Sequence, residues 1–213
     1  RANEVDGNRK WFSDEQIAMM TNGDTSDGLE NTNWQKKFLD KVAPTTQHNI
    51  SLNGGSENVR YFASIGMMQQ DGIVKDMKFE RYNARTNLDM NPNKYWTVSL
   101  NLAGRMEKSY TPGSISYGKQ SLFNPISQAL YMYPFLPFEY KGLPTGSSYM
   151  TLNPFAAAEL SGFQKGTNTM IETSAQISNT PAFVDRLKLA MFGRYDKKYS
   201  DAKNFSTPYT VYT

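Results

Sequence analysis

The side chains that could do chemistry in this sequence are few and are not grouped as an active site requires. His48 is the single histidine among 213 residues and cysteine is absent. The sequence therefore has neither the motif of a histidine-based catalytic triad nor that of a paired-histidine metal site. Neighbouring carboxylates such as Asp14 and Glu15 fall on a predicted helix surface, where they serve solvation more often than acid–base catalysis. We therefore expect no catalytic residue, no cofactor and no enzyme activity.

An acidic loop, "NGDTSDG" from Asn22 to Gly28, has carboxylates at close spacing. A calcium-binding EF-hand loop needs alternating ligands and a distal glutamate, and this loop lacks that arrangement. The sequence therefore does not predict a calcium site, and we expect no metal.

An aromatic and proline-rich segment, "YMYPFLPFEY", is the candidate for contact with a ligand or a partner. Flat rings can stack on sugars or hold peptide side chains, and the rings concerned are Tyr131, Tyr133, Phe135, Phe138 and Tyr140. The alternative is that these rings pack the segment against itself. Both interpretations remain open from the sequence.

Charge and composition narrow the class of protein. The net charge of +3 is spread along the chain, without the basic block that would favour nucleic acid. Tyrosine, phenylalanine, asparagine and serine are plentiful, a mixture that suits strands with one apolar and one polar face. The predicted fold class is all-β with a few short helices, the helices being capped by Ser13, Asn33, Asn124 and Asn153.

From Gln47 onward apolar and polar residues alternate, as in half-exposed strands. The predicted strands are 59–68, 79–90, 95–106, 170–178 and 186–195, with 47–54 leading into them. One face carries Tyr82, Leu88, Trp96, Val98, Leu100, Leu102, Leu187 and Leu189. The other face carries Arg60, Arg81, Arg85, Arg105 and Arg194.

Short and long connections alternate between these strands. "GGSEN", "NPNK" and "NTPA" are tight turns, whereas "QDGIVKDMK" and a long segment at about 107–168 are longer. Outer-membrane barrels show this asymmetry, with short periplasmic turns and longer external loops. The strands also reach the roughly 9 to 11 residues that a tilted membrane-spanning strand needs. We therefore predict a partial transmembrane antiparallel β-barrel with a long extracellular loop at 107–168.

The two faces then have different surroundings. The apolar set is predicted to face lipid, and the arginines are predicted to face the lumen or a plug. Because every backbone polar group in lipid needs an internal partner, a sheet in the membrane must close on itself. Five or six strands are too few, so we expect these residues to be part of a longer protein.

The sequence resembles a known family over about Asn31 to Asp196. The elements that carry the resemblance are "NTNWQ", "HNISLNGGSENVRYFASIGMMQQDGIVK", "FERYNARTNLDMNPN" and the later "NPISQALYMYPFLPFEY" and "LNPFAAAEL". They are similar to the SusC/RagA class of TonB-dependent outer-membrane transporters of Bacteroidetes.

The resemblance implies a 22-stranded barrel with a plug, located in the bacterial outer membrane, that imports oligosaccharides or peptides. It implies a SusD-like surface lipoprotein as partner, and TonB acting through a part that precedes this sequence. On this mapping residues 1–45 end the plug and residues 46–213 form the first barrel strands. The alternatives are a soluble β-rich glycan- or protein-binding module and a non-transporting outer-membrane structural or adhesion protein.

Overall fold

The computed structural model describes residues 12–26, 28–113, 125–146, 153–184 and 187–212. Six strands form one antiparallel sheet, in which each strand pairs with its neighbours in the order β1-β2-β3-β4-β7-β8. Their bounds are β1 Thr45–Gly55, β2 Val59–Asp71, β3 Lys78–Asn93, β4 Trp96–Pro112, β7 Gly162–Asn179 and β8 Leu189–Ser206. A separate hairpin pairs β5 (Glu139–Tyr140) with β6 (Leu143–Pro144).

The described residues also form four short helices: α1 Asp14–Asn22, α2 Trp34–Phe38, α3 Pro125–Tyr131 and α4 Pro154–Leu160. The predicted all-β class with a few short helices is therefore confirmed. Within the described residues, no helix is both long enough and apolar enough to cross a membrane.

The helix starts follow the predicted caps. Ser13 accepts a hydrogen bond from the Gln16 backbone N–H while the Gln16 side chain accepts one from the Ser13 N–H, a complete capping box. Asn153 accepts from two backbone N–H groups at the start of α4. Asn124 lies outside the described residues. Helix α2, which follows the predicted cap Asn33, ends at Phe38, because Leu39 turns to extended backbone and bridges Val74.

The strands extend further than the alternation indicates. β4 continues to Pro112 and β7 begins at Gly162, so the long connection is shorter at both ends than the expected 107–168. The outer parts of these strands, such as Glu107–Ser109 and Lys165–Asn168, are polar on both faces. Hydropathy therefore loses its period of two there, although the ladder of hydrogen bonds continues.

Two of the three predicted tight turns are present, and the third connection is longer than predicted. Residues 56–58 and 94–95 are tight turns as expected, but the connection from β7 to β8 runs from 180 to 188. It is therefore longer than "NTPA", and Leu187 precedes β8 instead of lying within it. We call the end of the sheet that carries these three connections the turn end.

The opposite end of the sheet carries the other connections, and we call it the loop end. There β1 begins opposite the last residues of β2, and the segments 72–77 and 113–161 leave and re-enter the sheet. Residues 29–40, 72–77, 125–146 and 153–161 pack together at this end, and we call them the loop layer. Its buried centre consists of Phe38, Val74, Ala129 and Ala158, with Leu39 and Met77 beside them.

Candidate functional site

One face of the sheet is a continuous apolar surface. The strand register places Tyr61 opposite Leu88 and Leu88 opposite Leu100, so the apolar rows of neighbouring strands join. Trp96, Leu100, Leu102 and Leu189 are 44%, 41%, 53% and 56% exposed. Monomeric soluble proteins rarely expose an apolar patch that runs across so many strands, because its contact with water is unfavourable.

The predicted apolar residues Tyr82, Val98 and the four just named share this face with Leu88. Leu187 is exposed but lies before β8. The face also includes residues that the predicted set omitted, namely Ile50, Leu52, Ile171, Ile177 and Met191. The same two-residue alternation identifies each of them.

The opposite face is polar and carries the predicted arginines. Arg194 bridges two carboxylates, with its Nη2 at 3.0 Å from Glu172 and its Nε at 2.7 Å from Asp196. The Nε of Arg105 lies 3.4 Å from Glu107. Arg60 is directly opposite Asp89 in the register. These exposed ion pairs stabilise the sheet little, but together they make this face a charged one.

Two of the arginines contact sulfur as well. An Nη2 of Arg81 lies 3.7 Å from the Met68 sulfur, and the Arg105 Nη2 lies 3.8 Å from the Met170 sulfur. Together with Arg85 these arginines line a depression of about 570 Å³ on the polar face. The face is therefore suited to polar groups that approach it from outside the sheet.

The aromatic segment belongs to the loop layer, and four of its five rings contact other aromatic rings of the protein while staying partly exposed. Tyr133 stacks on Phe135 at 5.1 Å between ring centroids, and Phe138 contacts Phe155 at 4.9 Å. Tyr140 lies 4.5 Å from Tyr212. Tyr131 differs, because it remains 74% exposed. Of the predicted contact residues, Tyr131 is thus the one with most of its surface free.

Helix α2 inserts between this segment and the rest of the loop layer. Trp34 is 3% exposed; its Nε1–H donates to the Tyr133 carbonyl at 2.9 Å, and its ring lies 5.6 Å from Phe138. Phe38 is 4% exposed and packs into the centre of the layer. Sequence reasoning placed both residues on one face of a helix but had no signal for the partner of that face.

An ion pair links two connections of the loop layer. Lys75 Nζ lies 2.5 Å from a carboxylate oxygen of Glu159, across 84 residues of sequence. The hydrogen bond and the charge of Glu159 raise the pKa of Lys75. In the acidic loop, hydrogen bonds from Ser26 lower the pKa of Asp24, so that carboxylate serves a local turn.

Residues that could support catalysis or metal binding stay apart. His48 lies within β1, opposite Met67 on the apolar face. Within the described ranges, no group of three or more histidine, aspartate or glutamate side chains could hold a metal ion. The features that the structure brings together are instead the two faces of the sheet and the loop layer.

Comparison with known proteins gives a consistent set of relatives. The TonB-dependent receptor SusC of Bacteroides thetaiotaomicron is 41% identical over 61 residues, which are 29% of this chain and 6% of that protein. The TonB-dependent receptor P39 of Formosa agariphila is 27% identical over 125 residues, 57% of this chain and 11% of that protein. The matched part is thus a small fraction of each relative's length. No family model matches the chain.

Solved structures with the same fold extend this comparison. The RagAB peptide importer in its "open-open" state has a TM-score of 0.63 at 20% identity, covering 94% of this chain and 24% of that one. Its "closed-closed" state has a TM-score of 0.61 at 21% identity, with the same coverage. The sheet is accordingly a partial barrel of the TonB-dependent receptor type. Sequence and fold together confirm the predicted resemblance to the SusC/RagA class of TonB-dependent receptors.

Proposed function

We propose that this chain contributes the first barrel strands of a TonB-dependent importer in the bacterial outer membrane. The observation that carries the proposal is the two-faced sheet: its apolar rows join across six strands, while the arginines lie on the other face. An exposed apolar face fits lipid, and a charged face fits a wet lumen or a plug. The lipid-facing and lumen-facing residues are assigned on this basis, with Leu187 at the rim.

Strand orientation follows from the lengths of the connections. We assign the turn end to the periplasm and the loop end to the cell surface, because the longest connection, 113–161, lies at the loop end and outer-membrane barrels have their longer loops outside. The loop layer, with its connection 113–161, would then face the medium. Residues 46–213 are proposed as barrel.

The partners follow from the relatives. The RagAB structures are described as a peptide importer, and SusC is described as a TonB-dependent receptor. We propose import of oligosaccharides or peptides, driven by TonB and assisted by a SusD-like surface lipoprotein. Tyr131 is the residue of the aromatic segment best placed for contact with that lipoprotein or with substrate, because its ring is largely exposed.

Fractionation of the protein from its own host tests the proposal. We expect it in the outer membrane, to be extracted only with detergent, and to have an intact mass several times 24.1 kDa. Uptake of its substrate should stop when TonB is removed. A monodisperse species of about that mass in plain buffer would favour the soluble β-rich binding module instead.

A further inference from the structure

The direction of β1 decides at which end of the sheet the preceding residues lie. β1 begins with Thr45 opposite Gln70 and ends with Gly55 opposite Arg60, so it runs from the loop end to the turn end. The chain before Thr45 therefore approaches from the loop end. The connections 72–77 and 113–161 lie at that same end.

Residues 30–32 are joined to the long connection by backbone hydrogen bonds. Glu30 N–H donates to the Phe135 carbonyl at 3.1 Å, and Thr32 N–H donates to the Pro134 carbonyl at 2.7 Å. These two bonds attach residues 30–32 to the aromatic segment.

Residues 39–40 are joined in the same way to the connection between β2 and β3. Asp40 N–H donates to the Ile73 carbonyl at 2.8 Å, and Leu39 forms a bridge with Val74. Between these two attachments, the side chains of Trp34 and Phe38 are buried in the loop layer. The segment 29–40 is thus held on both sides by connections between barrel strands.

The preceding helix, α1, is not buried in the loop layer. No residue of α1 is buried, whereas Thr32, Trp34 and Phe38 are each less than 9% exposed. Burial in the loop layer therefore begins near Glu30, although the ring of Phe12, before α1, also contacts Phe135 at 4.9 Å between centroids. A segment that filled the lumen would instead pack against the polar face, where the arginines lie.

We infer that residues 29–44 are part of the surface loop layer of the barrel and not the end of the plug. The inference rests on the proposed function, because it takes the turn end as periplasmic. For residues 29–44 it replaces the expectation that residues 1–45 end the plug. Residues 29–44 would consequently keep their place on the barrel when a plug rearranges during import.

Cysteine labelling in intact cells tests this placement in the full-length protein, on a cysteine-free background. Lys36→Cys and Lys41→Cys probe the segment, and Ile73→Cys marks the loop end; all three positions are exposed. Glu57→Cys and Lys94→Cys mark the turn end and are exposed too. The probe is a maleimide that does not cross the outer membrane, applied before and after permeabilisation.

We expect the cysteines at positions 36, 41 and 73 to be labelled in intact cells, and those at positions 57 and 94 only after permeabilisation. If positions 36 and 41 were labelled only after permeabilisation, as positions 57 and 94 are, the inference would be overturned while a membrane barrel stayed in place. Labelling of the loop-end sites only after permeabilisation would also overturn it. Recovery of the protein from the soluble fraction would instead refute the proposed function and the inference with it.

Hydrogen exchange of the purified full-length protein gives a second readout that does not depend on orientation. Backbone amides of residues 30–40 should exchange slowly, as those of the sheet do, and faster by at least tenfold in a Phe38→Ala variant. If a fragment of TonB is added, this protection should persist. Loss of protection at residues 30–40 on addition of TonB would show that the segment moves with the plug.

Discussion

The indole N–H of Trp34 donates a hydrogen bond to the carbonyl of Tyr133 at 2.9 Å, across 99 residues of sequence. Trp34 is almost fully buried, so this donor has no access to water as an alternative partner. The bond joins the segment before the first strand to the aromatic segment of the long connection.

Removing this hydrogen-bond donor should destabilise the loop layer without leaving a large cavity in it. In Trp34→Phe most of the ring volume remains, but the Tyr133 carbonyl loses its partner at a cost of about 1–3 kcal/mol. We expect faster hydrogen exchange at residues 30–36 and unchanged exchange in the strands. Gln35→Ala is the matched control, because Gln35 is exposed on the same helix. Equal exchange in the two variants would contradict the role of the bond.

Truncating Phe38 should have a larger effect. Phe38 fills the centre of the loop layer between Val74, Ala129 and Ala158, and loss of a buried phenylalanine ring costs about 3–5 kcal/mol. We expect Phe38→Ala to make the long connection sensitive to protease added to intact cells, while the barrel stays in the membrane. Lys36→Ala, an exposed change on the same helix, should not. Resistance of Phe38→Ala to protease would argue against a cooperative layer.

A charge on the apolar face should impair assembly in the membrane. Leu100 lies on that face within the apolar first half of β4, opposite Leu88, and an arginine at a lipid-facing site costs up to about 2–4 kcal/mol. We expect Leu100→Arg to lower the amount of folded protein in the outer membrane, measured as the heat-modifiable band in gel electrophoresis. Ser99→Arg, its neighbour on the polar face opposite Asp89, should fold normally. Similar yields of the two variants would contradict the assignment of the faces.

The exposed tyrosine of the aromatic segment should matter for binding and little for folding. Tyr131 is 74% exposed, so Tyr131→Ala should leave the yield unchanged and reduce the amount of lipoprotein that co-purifies. Tyr140→Ala is the comparison, because the Tyr140 ring contacts Tyr212 within the protein, and it should act on local stability. If Tyr131→Ala changes neither co-purification nor uptake, this ring has no role in contact.

High pH should detach the segment that follows β8. Burial raises the pKa of Tyr209 to about 12, and its hydroxyl has no hydrogen-bond partner among the described residues. Because the folded pKa lies above that of an unfolded tyrosine, about 10, the neutral side chain stabilises the packed segment below that value. The stabilisation is lost as the pH rises through about 12. The difference between absorbance titrations of the wild type and Tyr209→Phe should show a midpoint near 12, and a midpoint near 10 would contradict this.

Much of the sheet could be predicted because residues close together in the sequence determine the two faces of each strand. Alternation identified both faces, and the register confirms it by placing Tyr82 opposite Met106 and Arg85 opposite Ala103. Side-chain caps identified the starts of α1, α2 and α4. The strand ends were missed where both faces become polar, since the period of two then disappears while backbone pairing continues.

The loop layer could not be predicted from the same signals. Its contacts join residues far apart in sequence, as between Lys75 and Glu159, and no local pattern encodes such pairs. The aromatic segment was identified by composition alone. Composition does not distinguish rings that pack against other residues of the same protein from rings that remain accessible to another molecule. Tyr131 has the largest exposed fraction of these rings at 74%, while Tyr133 and Tyr140 keep 39% and 38%.

The last strand of the sheet has a consequence for biogenesis. β8 is 18 residues long and pairs on one side only, with β7, within the described residues. Its pairing with β7 runs over all 18 residues without a register shift, so the two strands can form as one hairpin. Because the partners within a hairpin lie close in sequence, they meet without waiting for distant residues, so β7 and β8 should pair with each other before they join β4.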